Sequence, residues 1–459
     1  MTEKVIKLMK DSPMVRWAAL LLLSSMMFFA YMFVDVLSPL KSMLETSHSW
    51  TSSTFGTFSG SEYVLNVFVF FLIFAGIILD KMGIRFTAIL SGIVMVAGAS
   101  IKYYAVSDAF VGTGLASWLD SWWVAFPGSA KLASLGFMIF GCGVEMAGVT
   151  VSKAIVKWFR GKELALAMGI EMAIARLGVF AVFRMSPRVA EHFSSVSAPV
   201  LFCMILLFIG LISFIVYSLM DKRLDKQMGE SGIEPDEPFK ISDIGKLFTS
   251  KTFLIVAGLC VLYYSAIFPF QKFAANMLES RLQISSTEAS DIFSWFPIGA
   301  MLLTPLLGAF LDNKGRGATM LIVGAVLMCC CHLIFALVPA ESFTKPVAYS
   351  AIVILGVSFS LVPAALWPSV PKLVENRYLG SAYSVIFWIQ NIGLMAFPML
   401  IGYSLDATNV GVTDPNMYNY TVPMLIFASL GILAFILGLW LKVDDRKKGH
   451  GLELPNIKK

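Results

Sequence analysis

This sequence predicts an all-α membrane protein, with twelve transmembrane helices in two pseudo-symmetric six-helix bundles. Three observations predict it. Of 459 residues, 57% are hydrophobic and only 14% are charged, where a soluble chain carries about a quarter charged residues. Twelve apolar runs have spanning length, at about 14–37, 59–79, 86–106, 130–157, 164–187, 198–220, 251–279, 291–311, 317–339, 346–370, 378–404 and 422–442. Finally, Gly76, Asp80 and Gly83 recur as Gly308, Asp312 and Gly315 at a constant offset of 232 residues, one copy in each half.

Taken in order, the segment before the first run is basic, and that run is too long for a signal-peptide core and has no small-residue cleavage site. It reads as a lead into the first membrane helix. Alternate connections are then rich in cations: Lys4, Lys7, Lys10 and Arg16, next Lys81 and Arg85, next Lys153 to Lys162, the central loop, Lys314 and Arg316, Lys372 and Arg377, and the tail. About 26 of the 35 basic residues lie on that side, which predicts cytoplasmic termini. The longest connection on the other side, 107–129, holds Trp118, Trp122 and Trp123, expected as interfacial anchors. Residues 221–250 break the apolar pattern with charges, Gly and Pro. The predicted organisation is therefore a bundle over 1–220, a cytoplasmic linker over 221–250 with a short surface helix at 241–248, and a bundle over 251–459.

Each repeated turn has a physical reason. Glycine suits the tight turn, Asp faces a neighbouring helix N-terminus, and the following cation reaches lipid phosphate or an acid. A second alignment, at an offset of 215, sets Ala167 on Ala382, Gly178 on Gly393, Arg176 on Asn391 and Glu145 on Ser360. If a pseudo-two-fold axis along the membrane normal relates the halves, the last four positions surround one central site.

The most informative stretch is Gly141 to Gly178, two apolar helices joined by a basic turn. Each helix carries a charge near its middle, Glu145 thirteen residues before Trp158 and Arg176 thirteen residues after Glu163. At about 1.5 Å of rise per residue both lie about 20 Å from the turn. That is near the midplane of a hydrocarbon layer about 30 Å thick. Charges at that depth are costly to hold, so by default they mark function. Opposite charges at one level suit a small ligand with an amine at one end and a carboxylate at the other; a simple ion pair between the two helices is the competing reading.

Twelve spans in two similar halves, with Gly76, Asp80, Lys81, Gly83 and Arg85 after the second span, resemble the major facilitator superfamily. The family pattern usually has Arg after the Asp, where this chain has Lys81 and, in the second copy, Asn313. The stretches Trp158–Leu164, Ala175–Gly178, Tyr263–Phe270, Ala365–Pro368 and Ile389–Leu394 resemble the lysosomal dipeptide uniporter branch of that superfamily. The resemblance implies facilitated passage of dipeptides by alternating access. It also implies that a carboxylate on the fourth span receives the peptide amine and an arginine on the fifth its carboxylate, positions that Glu145 and Arg176 match. A dipeptide spans at most about 7 Å and neighbouring helix axes lie about 8–10 Å apart, so such a zwitterion fits between the two groups.

Other candidates carry weaker signals. Tyr31 and Tyr263 correspond at the 232 offset and are expected to line the cavity or to bond a neighbouring helix. Trp388 and Asn391, three apart, share a helix face and are expected to line it too. Glu171, five residues before Arg176, is expected to pair with Lys153 or Lys157, and Asp35 and Arg184 to form an outer gate or a rim pair. Asp80, Gly83, Arg85, Asp312 and Gly315 are read as gating and packing residues; the resemblance implies that this motif stabilises the state closed to the cytoplasm. Pro269, Pro363 and Pro398 interrupt spans, as bends used in rocking or as static kinks.

The expected function is transport of dipeptides or similar short zwitterions, as a uniporter. A proton-coupled carrier of peptides or organic anions, with Glu145 titrating, is the first alternative, and a non-transporting membrane sensor or scaffold the second. No enzyme constellation, metal, cofactor or nucleic-acid partner is implied. The partners are the zwitterion and the lipid bilayer, with no accessory subunit required. Short loops, one glycosylation sequon at Asn419 and no acidic dileucine signal favour a bacterial inner membrane over a lysosomal one.

Overall fold

The computed structural model describes residues 8–160, 162–228, 247–375 and 379–455. The first half holds α1 (Pro13–Asp35), α2 (Lys41–His48), α3 (Ser52–Ser61), α4 (Val64–Phe68), α5 (Phe71–Ala105), α6 (Gly114–Asp120), α7 (Gly128–Phe159), α8 (Leu164–Phe193) and α9 (Ser197–Met228). The second holds α10 (Lys251–Leu282), α11 (Ser286–Lys314), α12 (Gly317–Leu337), α13 (Lys345–Leu373), α14 (Leu379–Thr408) and α15 (Thr421–Lys448). Short polar side chains start several of them. Thr51, Ser250 and Ser285 accept from the backbone N–H groups of Thr54, Phe253 and Glu288, satisfying donors that a first turn leaves open.

Among the described residues eleven helices are long and apolar enough to cross a membrane. The count reconciles with twelve crossings at α5, where Gly83 stands at φ 80° and ψ 168°. Residues 71–82 finish the second crossing and residues 84–105 make the third. The second expected span, 59–79, is thus no single helix. It consists of α3, α4 and the first limb of α5, with breaks at Glu62–Tyr63 and at Phe70.

Charge does not end the sixth crossing at 220. The helix α9 runs on to Met228 because its acids have partners on the first bundle. Asp221, 1% exposed, accepts from Lys157 at 2.7 Å and from the Trp158 indole at 3.0 Å. Asp225 holds Arg85 at 2.7 Å and Lys157 at 2.6 Å. The surface helix expected at 241–248 falls, apart from its last two residues, outside the described residues.

Within the first half α5 packs on α7 and α9, and α1 on α8 and α9; within the second, α12 packs on α13 and α15, and α10 on α14 and α15. Between the halves α3 crosses α14 and α8 crosses α11. The first of these crossings is close because two glycines permit it. A Cβ at Gly56 would stand 2.2 Å from the Pro398 carbonyl oxygen, and one at Gly402 2.2 Å from that of Ser52.

The first and last described stretches, around Asp11 and Leu454, lie at one end of the molecule, here called the terminal end. Arg16 binds Glu163 at 2.8 Å and Lys162 binds Asp11 at 2.5 Å, while Lys372 donates to the Gly451 and Leu454 carbonyl oxygens at 3.0 Å. The Lys162 ammonium holds the Asp11 carboxyl below its usual range. At the far end the halves are latched together. Asp35, on α1, takes Lys272 at 2.9 Å and Gln271 at 2.5 Å, both on α10. Asp291, on α11, takes the two terminal guanidinium nitrogens of Arg188 at 2.9 and 2.6 Å. Asp406, on α14, accepts the first N–H groups of α3, from Ser52 at 3.0 Å and Ser53 at 2.7 Å, where the helix dipole favours an anion.

Candidate functional site

The turn between α7 and α8 sets Glu145 and Arg176 at matching depth, and both side chains face the second half rather than lipid. Asn391, on α14 and 3% exposed, donates to Glu145 Oε1 across a long 3.5 Å. The Arg176 guanidinium lies over the rings of Phe359 at 5.1 Å, Phe268 at 5.4 Å and Tyr31 at 6.0 Å, contacts of cation–π range. Among the described residues no ion pair joins Glu145 to Arg176. Tyr31, on α1, brings its ring to the Arg176 side of the group.

Other expected residues fall differently. Trp388 stacks on Phe70 at 5.3 Å and donates from its indole to the Val67 carbonyl oxygen at 3.0 Å, joining α14 to the broken second crossing. Tyr263 is turned away from the centre. It is fully buried and its hydroxyl donates to the Leu321 carbonyl oxygen on α12. Tyr264, one residue on and about 100° around the helix, faces inward instead, stacked on Phe268 at 5.4 Å and accepting from the Trp367 indole at 3.2 Å. Ser360, aligned with Glu145, donates to its own helix at Gly356.

Two expected pairings are corrected. Glu171 does not reach Lys153 or Lys157, because Asp80 takes the first at 2.6 Å and Asp221 and Asp225 take the second. Its charged neighbour is Arg176. Asp35 and Arg184 do not meet either, since each turns to the second half, Asp35 to Lys272 and Arg184 to Asp291 at 3.4 Å.

The gating set divides between the copies. In the first, Asp80 and Lys153 pair in the open and Arg85 binds Asp225. In the second, Gly315 stands at φ 72°, and the next two N–H groups donate to the tail carbonyls of Glu453 at 2.9 Å and Leu452 at 3.0 Å. Asp312 is half-buried beside that turn.

Sequence reasoning passed over Glu62, Asn66 and Lys102. Glu62 is 5% exposed and Asn66 2% exposed, and among the described residues neither Glu62 Oε2 nor either Asn66 amide atom has a hydrogen-bond partner. Lys102 is fully buried among the rings of Phe137, Phe33 and Phe58, at 4.0, 4.5 and 5.1 Å. The signal was available, because two polar residues four apart interrupt the apolar run 59–79.

The sequence profile of the Major Facilitator Superfamily matches residues 23–277 and 270–455. The chain belongs to that superfamily. As a member it is a multi-pass membrane transporter and not an enzyme. It is 30% identical over 284 residues to the lysosomal dipeptide transporter MFSD1 of Gallus gallus, covering 60% of this chain and 62% of that protein. The Danio rerio protein of the same name is 29% identical over 337 residues, covering 70% and 68%. The match thus spans about three fifths to two thirds of these relatives' length. Two solved structures share the superfamily fold. A bacterial homologue of the human lysosomal transporter Spinster, inward-facing and unoccupied, has a TM-score of 0.69 at 14% identity, covering 95% of this chain and 98% of that one. The nucleoside transporter NupG has a TM-score of 0.66 at 15% identity, covering 92% and 99%.

Proposed function

We propose that this transporter moves dipeptides or similar short zwitterions by alternating access, as a uniporter, with the cargo amine at Glu145 and its carboxylate at Arg176. One observation carries the reading. The two midplane charges of the first half face polar and aromatic groups of the second, Asn391 in one case and Phe268 and Phe359 in the other, without an ion pair between them. Charges kept apart inside a membrane are retained for a purpose, and a doubly charged guest satisfies both. The relatives named dipeptide transporters support this cargo.

The guanidinium presents a planar fork to a carboxylate and an ammonium does not. Arg176→Lys therefore loses uptake despite keeping its charge. Uptake of a radiolabelled dipeptide into proteoliposomes containing only this chain tests the whole proposal, including independence from an accessory subunit. Wild-type uptake by a normally expressed Arg176→Lys variant, or equal affinity for free and doubly end-blocked dipeptides, would overturn it. A proton gradient imposed on the same vesicles separates uniport from coupling, since uniport leaves accumulation at equilibrium unchanged.

The bias of basic residues supports a cytoplasmic terminal end, in a bacterial inner membrane. Labelling of single cysteines at the two ends of the protein in intact cells tests that orientation.

A further inference from the structure

We propose that Glu62 is a second seat for the cargo's ammonium group, acting beside Glu145; the proposal rests on the zwitterion reading above. Glu62 stands where the second crossing breaks, between α3 and α4. The break lies flush against α7 because residue 141 is glycine. A Cβ there would stand 2.2 Å from the Glu62 carbonyl oxygen and 3.2 Å from its Cγ. Gly141 precedes Glu145 by four residues, so the Glu62 side chain starts about one helical turn from Glu145, on the side of the far end.

Among the described residues no ion pair joins Glu62 to a cation. Two basic groups near it, Lys272 and Lys102, already have partners. Lys272 donates to Asp35 at 2.9 Å and to the Val34 carbonyl oxygen at 3.1 Å. Lys102 lies among three phenylalanine rings and reaches the Phe33 carbonyl oxygen at 3.4 Å. Glu62 is nine-tenths buried with Oε2 unpartnered, and a buried carboxylate lacking a partner is strongly disfavoured. Such a group is suited to a cation that comes and goes.

A protonated amine fits it. An ammonium has three N–H donors, and Glu145 already accepts from Asn391 through Oε1. A second carboxylate, on a side chain that starts one turn away, supplies another acceptor. Its position between the Asp35–Lys272 latch and Glu145 also lets it meet an amine arriving from the far end first.

The experiment compares purified wild-type protein with Glu62→Gln, titrating alanyl-alanine and N-acetyl-alanyl-alanine calorimetrically and measuring the unliganded melting temperature. Glu62→Gln weakens alanyl-alanine about tenfold or more, the scale of one charge-assisted hydrogen bond. It leaves the weaker binding of the acetylated form unchanged. Its melting temperature equals or exceeds that of wild type, because an isosteric amide removes an unpaired buried charge. Wild-type affinity for alanyl-alanine, or equal losses for both ligands with a lowered melting temperature, overturns the proposal. If wild type binds no alanyl-alanine, the zwitterion reading fails instead, and n-butylammonium chloride then tests the seat alone. Protection of wild type but not of Glu62→Gln supports the seat, and equal behaviour sinks it.

Discussion

At the far end three acids cross from one half to the other. Asp35 and Lys272 are almost fully buried, Asp291 grips Arg188 through two hydrogen bonds, and Asp406 caps α3. At the terminal end the comparable charges stay within their own half: Asp80 on Lys153, Arg85 on Asp225, Arg16 on Glu163. There the halves touch through Trp388 on Phe70 and Val67. The difference teaches how a symmetric chain holds one side shut. Ion pairs cross the interface at the far end and close within one half at the terminal end, so they resist separation of the halves at the far end alone.

The largest expected effect comes from breaking the far latch. Lys272→Ala leaves Asp35 buried without its cation, which destabilises the latched state by about 3–5 kcal/mol. Cysteines placed on α3 and α14 become reactive from the far end, and transport falls with them; unchanged labelling would remove the contrast. Next, Gly402→Ala drives a methyl toward the Ser52 carbonyl oxygen, 2.2 Å away, and overpacking of this kind costs about 1–3 kcal/mol. Spin-label distances between α3 and α14 should lengthen. Trp388→Phe keeps the ring but loses the bond to Val67, worth about 0.5–1.5 kcal/mol, and raises labelling at the terminal end severalfold. Smaller again, Asp80→Asn removes an exposed pair of less than about 1 kcal/mol. It slows transport while ligand binding to the purified protein survives.

The smallest effect is one of pH. The Asp11 carboxyl is held below its ordinary value of 3.8 by Lys162, so its contribution is complete above that value and is lost as pH falls through the lowered one. Protease cleavage near residue 11 should rise only in that acidic window, and Asp11→Asn should abolish the rise.

Much of the central site was legible because depth in a membrane is read by counting residues from a turn. Glu145 and Arg176 were found that way, and the facing position of Asn391 came from the internal repeat. Of the two readings for Tyr263 the structure agrees with the bond to a neighbouring helix; a repeat aligns backbones, while one residue of helical phase decides whether Tyr263 or Tyr264 faces inward. Glu62 escapes the pattern because a hydropathy window reads 59–79 as one continuous span, and the break between α3 and α4 at Glu62 is invisible to it.

The sequence by itself determined the class, the twelve crossings, the repeated turns and the level of the two midplane charges, since these follow from the length of apolar runs and the rise of a helix. Tertiary structure alone decided the partners. Asp35 goes to Lys272 and not to Arg184, and Lys157 to Asp221 and not to Glu171. The physical reason is that a charge in a low-dielectric interior takes whichever counter-charge the packing brings within about 4 Å, and packing is set by distant helices whose contact no local pattern encodes.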